Sequence, residues 1–389
     1  MAESTLHDYT TAVDYDSLGL FQQRPSQGWG TASQVTDPVY ATNKFLSVMQ
    51  AKYPNGSWQT GDIGAICQAV QVSALPDEYD KQVAAAQTVV NAVSAPSGYQ
   101  VAFQAAGSSY LWTVGTFGNR DWQLGVKAGT SPSVAKLPTG GFQAAFQANT
   151  GDLWSAGSAG TKPWNLGMAA GTSPSIAALA GGGYEIAVQT NGGQLWTTSN
   201  TGATTNWGLG MKAGTSPSIT ALPGGGFQVA VQANTGDLWS VGTIGTKSWN
   251  LGMKAGSSPS ITALPAGGYE IAVQTNGSQL WTTSNTGATT NTQQGMAGAT
   301  SPSIAALAGG GWETAFQANT GGLITVGTGG NKVWNAGMKI GTSPSITAVA
   351  GGGYETAIQI NTGDLWTLGS AGDRDWGLGL ASTTSPAIG

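Results

Sequence analysis

The sequence predicts a mainly β fold, a seven-bladed β-propeller preceded by a small N-terminal α-helical domain. Three observations carry that reading. An aromatic residue opens a short alternating segment ending in Gln seven times, at 99–104, 142–147, 184–189, 227–232, 269–274, 312–317 and 354–359. Ser-Pro steps at Pro132, Pro174, Pro217, Pro259, Pro302, Pro344 and Pro386 return every 42 or 43 residues, room for about four short strands per unit. The texture also changes near residue 96, from helical periodicity to strand alternation. The expected domains are therefore 1–95 and 96–389, joined at Ser94-Ala95-Pro96-Ser97-Gly98.

In the first segment, Asp37-Pro38 reads as a helix start, a cap followed by Pro at the first helical position. Tyr40, Phe45, Leu46 and Met49 supply its apolar stripe. Tyr53-Pro54-Asn55-Gly56 reads as a turn. Asp62 is expected to cap a second helix carrying Ile66 and Val70. Pro76-Asp77 opens a third, with Tyr79, Val83, Ala86, Val90 and Val93 at helical spacing.

From Gly98 onward, segments such as Tyr184-Glu185-Ile186-Ala187-Val188-Gln189 alternate as strands whose two faces both meet neighbours. Asn-Thr-Gly hairpins and Gly-Gly-Gly turns absorb much of the 61 Gly. Each Ser-Pro-Ser-Ile segment is expected to form the next strand, with Pro at its start where a missing donor is tolerated. The last copy, Ser385-Pro386-Ala387-Ile388, has no strand after it. It is expected to pair beside segment 99–104, closing the ring and removing both open edges. Blades two and four share Gly-Thr-Lys-x-Trp-Asn-Leu-Gly-Met, and blades three and five share a longer run around Trp196 and Trp281. That pattern implies copying of a two-blade unit.

Composition excludes several classes. A net charge of −5 with scattered Lys offers no basic stripe to neutralise phosphates, so nucleic acid is not an expected partner. No apolar run has the length of a membrane span. His7 is the only histidine and Cys67 the only thiol, so no Ser-His-Asp, Cys-His or zinc constellation can be assembled, and no cofactor is expected.

Two Trp series run through the repeats. The first follows Leu: Trp112, Trp154, Trp196, Trp239, Trp281 and Trp366, with Ile324 in blade six. The second comes ten or eleven residues later: Trp122, Trp164, Trp207, Trp249, Trp334 and Trp376, with Thr292 in blade five. An indole face beside amides and hydroxyls suits the apolar C–H face of a sugar, and repetition around a ring supplies avidity. The first series is read as core packing, because it sits mid-strand and its one loss is to apolar Ile324. The second is read as ligand contact, because it follows a polar loop and its lost member is polar. Ligand contact is the alternative for the first series, and packing between blades for the second. The Gln ending each aromatic segment is read as a structural hydrogen-bonder. Glu185, Glu270, Glu313 and Glu355 are secondary candidates for accepting from sugar hydroxyls. Gln100, Gln143 and Gln228 stand at their equivalents, so a ligand group needing formal charge is not expected.

With Gly-Gly-Tyr-Glu-Ile-Ala-Val-Gln, Asn-Thr-Gly-Asp-Leu-Trp, Trp-Asn-Leu-Gly-Met and Gly-Thr-Ser-Pro-Ser-Ile, residues 98–389 resemble the bacterial seven-bladed propeller lectins of the Photorhabdus lectin type, and more distantly tectonin repeats. The resemblance implies monosaccharide sites in clefts between adjacent blades, with fucose and O-methylated sugars as common ligands. A homodimer is an assembly open to such lectins. The chain departs from the pattern at Thr292 and Ile324, which sets apart the sites bordered by blades five and six.

The run Asp16-Ser17-Leu18-Gly19-Leu20-Phe21-Gln22-Gln23-Arg24-Pro25 through Trp29-Gly30, with Asp37-Pro38-Val39-Tyr40 and 69–74, resembles a lysozyme-like, transglycosylase-like domain of secreted actinobacterial proteins. In that family a Glu-Ser pair on a helix supplies the general acid, and Glu3-Ser4 matches it. Only two residues precede Glu3, so the helix that would bury it and raise its pKa is expected to be truncated. The chain opens Met-Ala-Glu-Ser with no signal peptide, an expectation of a start cut from a longer, secreted parent.

The leading expectation is a multivalent carbohydrate-binding propeller recognising glycans or monosaccharides. The alternatives are a peptidoglycan lytic glycosidase acting through Glu3 with the propeller as targeting module, and a protein-interaction scaffold with no sugar site.

Overall fold

The computed structural model describes residues 3–389 apart from 6, 13, 74–76, 84, 85, 87–97 and 351. The chain divides into two compact units, Met1–Ser94 and Ala95–Gly389.

In the first unit, helix α1 (Ala32–Val35) begins with a capping box between Thr31 and Gln34. Helix α2 (Pro38–Lys52) is capped by Asp37, whose carboxylate accepts from the Val39 and Tyr40 amides, and helix α3 (Ile63–Gln71) by Asp62, which accepts from Ala65. Met49, Ile66 and Val70 form a small core with Trp29, Phe45, Val48, Tyr53 and Trp58 packed around it. Leu46 departs from the expected stripe and is exposed. The buried face runs through Ala41, Phe45, Val48 and Met49, one helical row away from Leu46. Of the expected third helix, 78–83 and 86 are helical, and the remainder falls outside the described residues. No helix among the described residues is long and apolar enough to cross a membrane.

The second unit is a seven-bladed propeller of four-stranded antiparallel sheets. Blade two shows the pattern: innermost strand Ser133–Lys136, second Phe142–Gln147, third Asp152–Gly157 and outermost Lys162–Gly167. Blades three to seven repeat it over 175–210, 218–252, 260–295, 303–337 and 345–379. Blade one takes its innermost strand, Ala387–Ile388, from the other end of the repeat array. Val101 lies opposite Ile388 and Ala102 opposite Ala387, so the ring closes as the sequence predicts.

The Ser-Pro-Ser motif does more than open a strand. The first serine of each copy accepts the backbone N–H of its counterpart in the preceding blade at 2.9 Å, as in Ser131 to Ser173, and Ser385 to Ser131 completes the circle. The second serine accepts from the next blade's Ile, as Ser133 does from Ile176. The segment-ending Gln is a seam bolt. Its Nε2 donates to a carbonyl at the end of the outermost strand of its own blade at 2.8–3.1 Å, as Gln147 does to Met168. Its main-chain carbonyl accepts from the preceding blade, as Gln147 does from Lys127.

Candidate binding seams between blades

Strand alternation sends the aromatic opener and every second residue of each second strand toward the preceding blade, and the residues between toward the following one. Seven hydrophobic clusters result, one per seam. The first seam joins Leu111 and Val126 of blade one to Phe142, Ala144 and Phe146 of blade two. Trp122 from blade one and Trp154 from blade two both pack on it. The same pairing recurs as Trp164 with Trp196, Trp207 with Trp239, Trp249 with Trp281, Trp334 with Trp366 and Trp376 with Trp112. Six of the seven seams thus receive a second-series indole from one blade and a first-series indole from the next, and the seam between blades five and six receives neither.

The first series packs on the seam cores as expected, and the second series packs there beside it. First-series rings are half-buried rather than sealed. Second-series rings are half-buried too, except Trp334, which is 7% exposed. Every second-series Nε1 donates to a hydroxyl on its blade's third strand at 3.0–3.3 Å, from Trp122 to Thr113 through Trp376 to Thr367. Five of these rings also meet the next blade's opener edge to face: Trp122 with Phe142, Trp164 with Tyr184, Trp207 with Phe227, Trp249 with Tyr269 and Trp334 with Tyr354. These contacts hold each indole in one orientation.

The bulge behind each ring was legible in the sequence, although the sequence reading passed over it. The residue after the indole, or after Thr292, has positive φ at Gln123, Asn165, Gly208, Asn250, Gln293 and Gly377, and the register with the third strand shifts there. Such a bulge re-aims its neighbouring side chain.

A second overlooked feature is a cation two residues before the indole, on the same face of the strand. Arg120, Lys162, Lys247, Lys332 and Arg374 lie over Trp122, Trp164, Trp249, Trp334 and Trp376, 3.2–3.9 Å from the ring centroids. Trp207 has Thr205 at that position and carries no such cation. The platforms are therefore capped on one face in five seams.

The first seam opens into a cleft of about 410 Å³ whose lining includes Phe117, Asn119, Arg120, Trp122, Phe142 and Ser158. A second cleft, about 450 Å³, runs along Trp334 beside Gly322, Val333, Ile340 and Asn361.

The four glutamates are not on these surfaces. Glu313 and Glu355 are fully buried, and Glu185 and Glu270 are 6% and 7% exposed. Each lies where Gln100 and Gln143 clasp the hairpin between third and outermost strands. There Gln143 donates to Gly160 O at 2.9 Å and accepts from Ala159 N at 3.1 Å. Glu313 and Glu355 keep the acceptor half, from Gly329 and Ala371, and leave Oε1 without a hydrogen-bond partner. Burial pushes both carboxyls up to about 7, Glu270 to about 6, and Glu185 in the same direction. Glu185, Glu270, Glu313 and Glu355 are therefore not the sugar acceptors the sequence suggests, because each is folded beneath its own blade's hairpin.

In the N-terminal unit, Ser4 Oγ donates to Leu20 O at 2.7 Å, and the half-buried Glu3 carboxylate accepts from the Tyr79 hydroxyl. Burial, then this bond, raises the Tyr79 pKa. Among the described residues no group of three or more His, Cys, Asp or Glu side chains is placed to hold a metal ion.

No protein-family model matches the sequence, and no curated protein matches it. Solved structures similar to the chain include SapL1 lectin in complex with α-methyl fucoside, at 10% identity and TM-score 0.50, covering 67% of this chain and 98% of that one. The fucose-recognising lectin of Aleuria aurantia, a six-bladed propeller, aligns at 13% identity and TM-score 0.47, covering 65% and 96%. An inactive virginiamycin B lyase from Staphylococcus aureus with quinupristin aligns at 14% identity and TM-score 0.47, covering 66% and 86%. At such identities the likeness is one of fold alone.

Proposed function

We propose that the propeller is a multivalent lectin whose sugar sites lie in the seams, each built around a pair of indoles from adjacent blades. The observation that carries this reading is a joint loss. Thr292 replaces the second-series indole of blade five and Ile324 the first-series indole of blade six, and both positions belong to one seam. A shared ligand makes each ring useless without the other. Six seams then remain as candidate sites around Trp122, Trp164, Trp207, Trp249, Trp334 and Trp376.

The chemistry of the first seam suits a monosaccharide. Aromatic walls meet the C–H face, while Asn119, Arg120 and Ser158 offer an amide, a guanidinium and a hydroxyl to the ring hydroxyls. The Photorhabdus-type resemblance adds fucose and O-methylated hexoses as first ligands to test and a homodimer as the assembly, and the lysozyme-like resemblance adds secretion. Cell-surface or cell-wall glycans are the natural partners of such an array, because several weak sites act together. No catalytic role is proposed for Glu3, whose carboxylate is engaged by Tyr79. Titration of intrinsic Trp fluorescence with fucose and methylated hexoses tests the reading. A saturable response is expected, and a flat one across a glycan array would remove the lectin reading in favour of a scaffold.

A further inference from the structure

We propose that the first seam recognises the carboxylate of an acidic monosaccharide, a hexuronate, through the Arg120 guanidinium. The proposal deepens the lectin reading and rests on it. Arg120 is the ionisable side chain among the residues lining the cleft. Strand alternation puts it on the face of Trp122 and turns Asp121 to the other side, where its Oδ1 accepts from the Gln123 amide at 2.9 Å. Among the described residues, no acidic side chain forms an ion pair with Arg120, and no protein acceptor takes any of its N–H donors. Lys162 and Lys247, at the equivalent positions, each give one donor to a hairpin carbonyl of the next blade, Asn200 O and Asn285 O.

The position behind the cleft is also neutral. Gln100 stands there, with both ends of its amide engaged by Phe117 N and Gly118 O, where four other blades carry Glu. A positive group with free donors therefore sits beside aromatic walls with nothing to neutralise it. A planar fork of N–H donors matches a carboxylate bidentately. This departs from the expectation that no charged ligand group is needed. That expectation weighed the Glu and Gln positions, whereas the charge comes from the outermost strand.

The test uses the whole chain with D-galacturonate, its uncharged methyl ester and galactose. Calorimetry at low salt is expected to show a site that takes the acid about tenfold more tightly than the ester, the order given by one charge-assisted hydrogen-bonded pair. Raising salt should shrink the difference. Arg120→Gln should remove one acid-preferring site and leave the melting temperature unchanged, and Arg120→Lys should restore part of the preference. In a galacturonate-soaked crystal, the carboxylate should lie within hydrogen-bond distance of Arg120. Equal affinity for acid and ester, or an unchanged site count in Arg120→Gln, overturns the proposal while leaving a neutral-sugar lectin standing. Absence of binding by any of the three sugars, with fucose also silent, overturns both readings.

Discussion

Trp164 of blade two and Tyr184 of blade three meet edge to face across the second seam, ring centroids 6.3 Å apart and planes at 78°. The same indole donates to Ser155 Oγ at 3.1 Å and lies beneath Lys162. One ring therefore joins two blades while staying half-buried.

Trp164→Ala is accordingly expected to lower both sugar affinity and stability, the latter by roughly 2–3 kcal/mol for a half-buried aromatic. Trp154→Ala, in the first seam, should cost a similar amount. Chemical denaturation of both variants beside sugar titration checks this. A Trp164→Ala protein as stable as the wild type would mean that the ring holds no seam together.

If paired indoles make a site, rebuilding the fifth seam needs both of them. Thr292→Trp alone and Ile324→Trp alone should leave the number of sugar sites unchanged, and the double variant should add one. Calorimetric stoichiometry reads the count. A new site in either single variant would show that one ring is sufficient.

The buried carboxyls make stability depend on pH. A carboxyl whose folded pKa is raised keeps its proton in the native state after the unfolded chain has lost it. For Glu313 and Glu355, stability should fall as pH rises from about the ordinary 4.5 toward about 7, then level off. Asp373 nearby pushes Glu355 the same way as burial does. Glu313→Gln and Glu355→Gln restore the amide found in blades one, two and four, and each should add about 1 kcal/mol at pH 8. Melting curves from pH 4.5 to 8.5 should flatten in the double variant, and an unaltered slope would refute the assignment.

Ala387 breaks the second ring of serines. At its place Ser133, Ser175, Ser218, Ser260, Ser303 and Ser345 each accept the next blade's Ile amide at 3.1–3.2 Å. Ala387→Ser should supply the missing acceptor to Val134 N and raise stability by about 0.5–1.5 kcal/mol. A lower midpoint in urea would show that the closing strand has no room for the hydroxyl.

Period and alternation were enough to determine the seven blades and the closing of the ring by segment 385–388 beside 99–104, because a repeat with two buried faces has few ways to hide its edges. Local capping chemistry likewise determined α2 and α3 through Asp37 and Asp62. What the sequence could not assign was partnership between blades. Trp122 and Trp154 belong to different repeats, and only the twist and stacking of adjacent sheets bring them to one seam. Glu313 looked like a surface acceptor because alternation names a face without saying what covers it. The hairpin folded over that face decided its burial, and the burial, in turn, its proton.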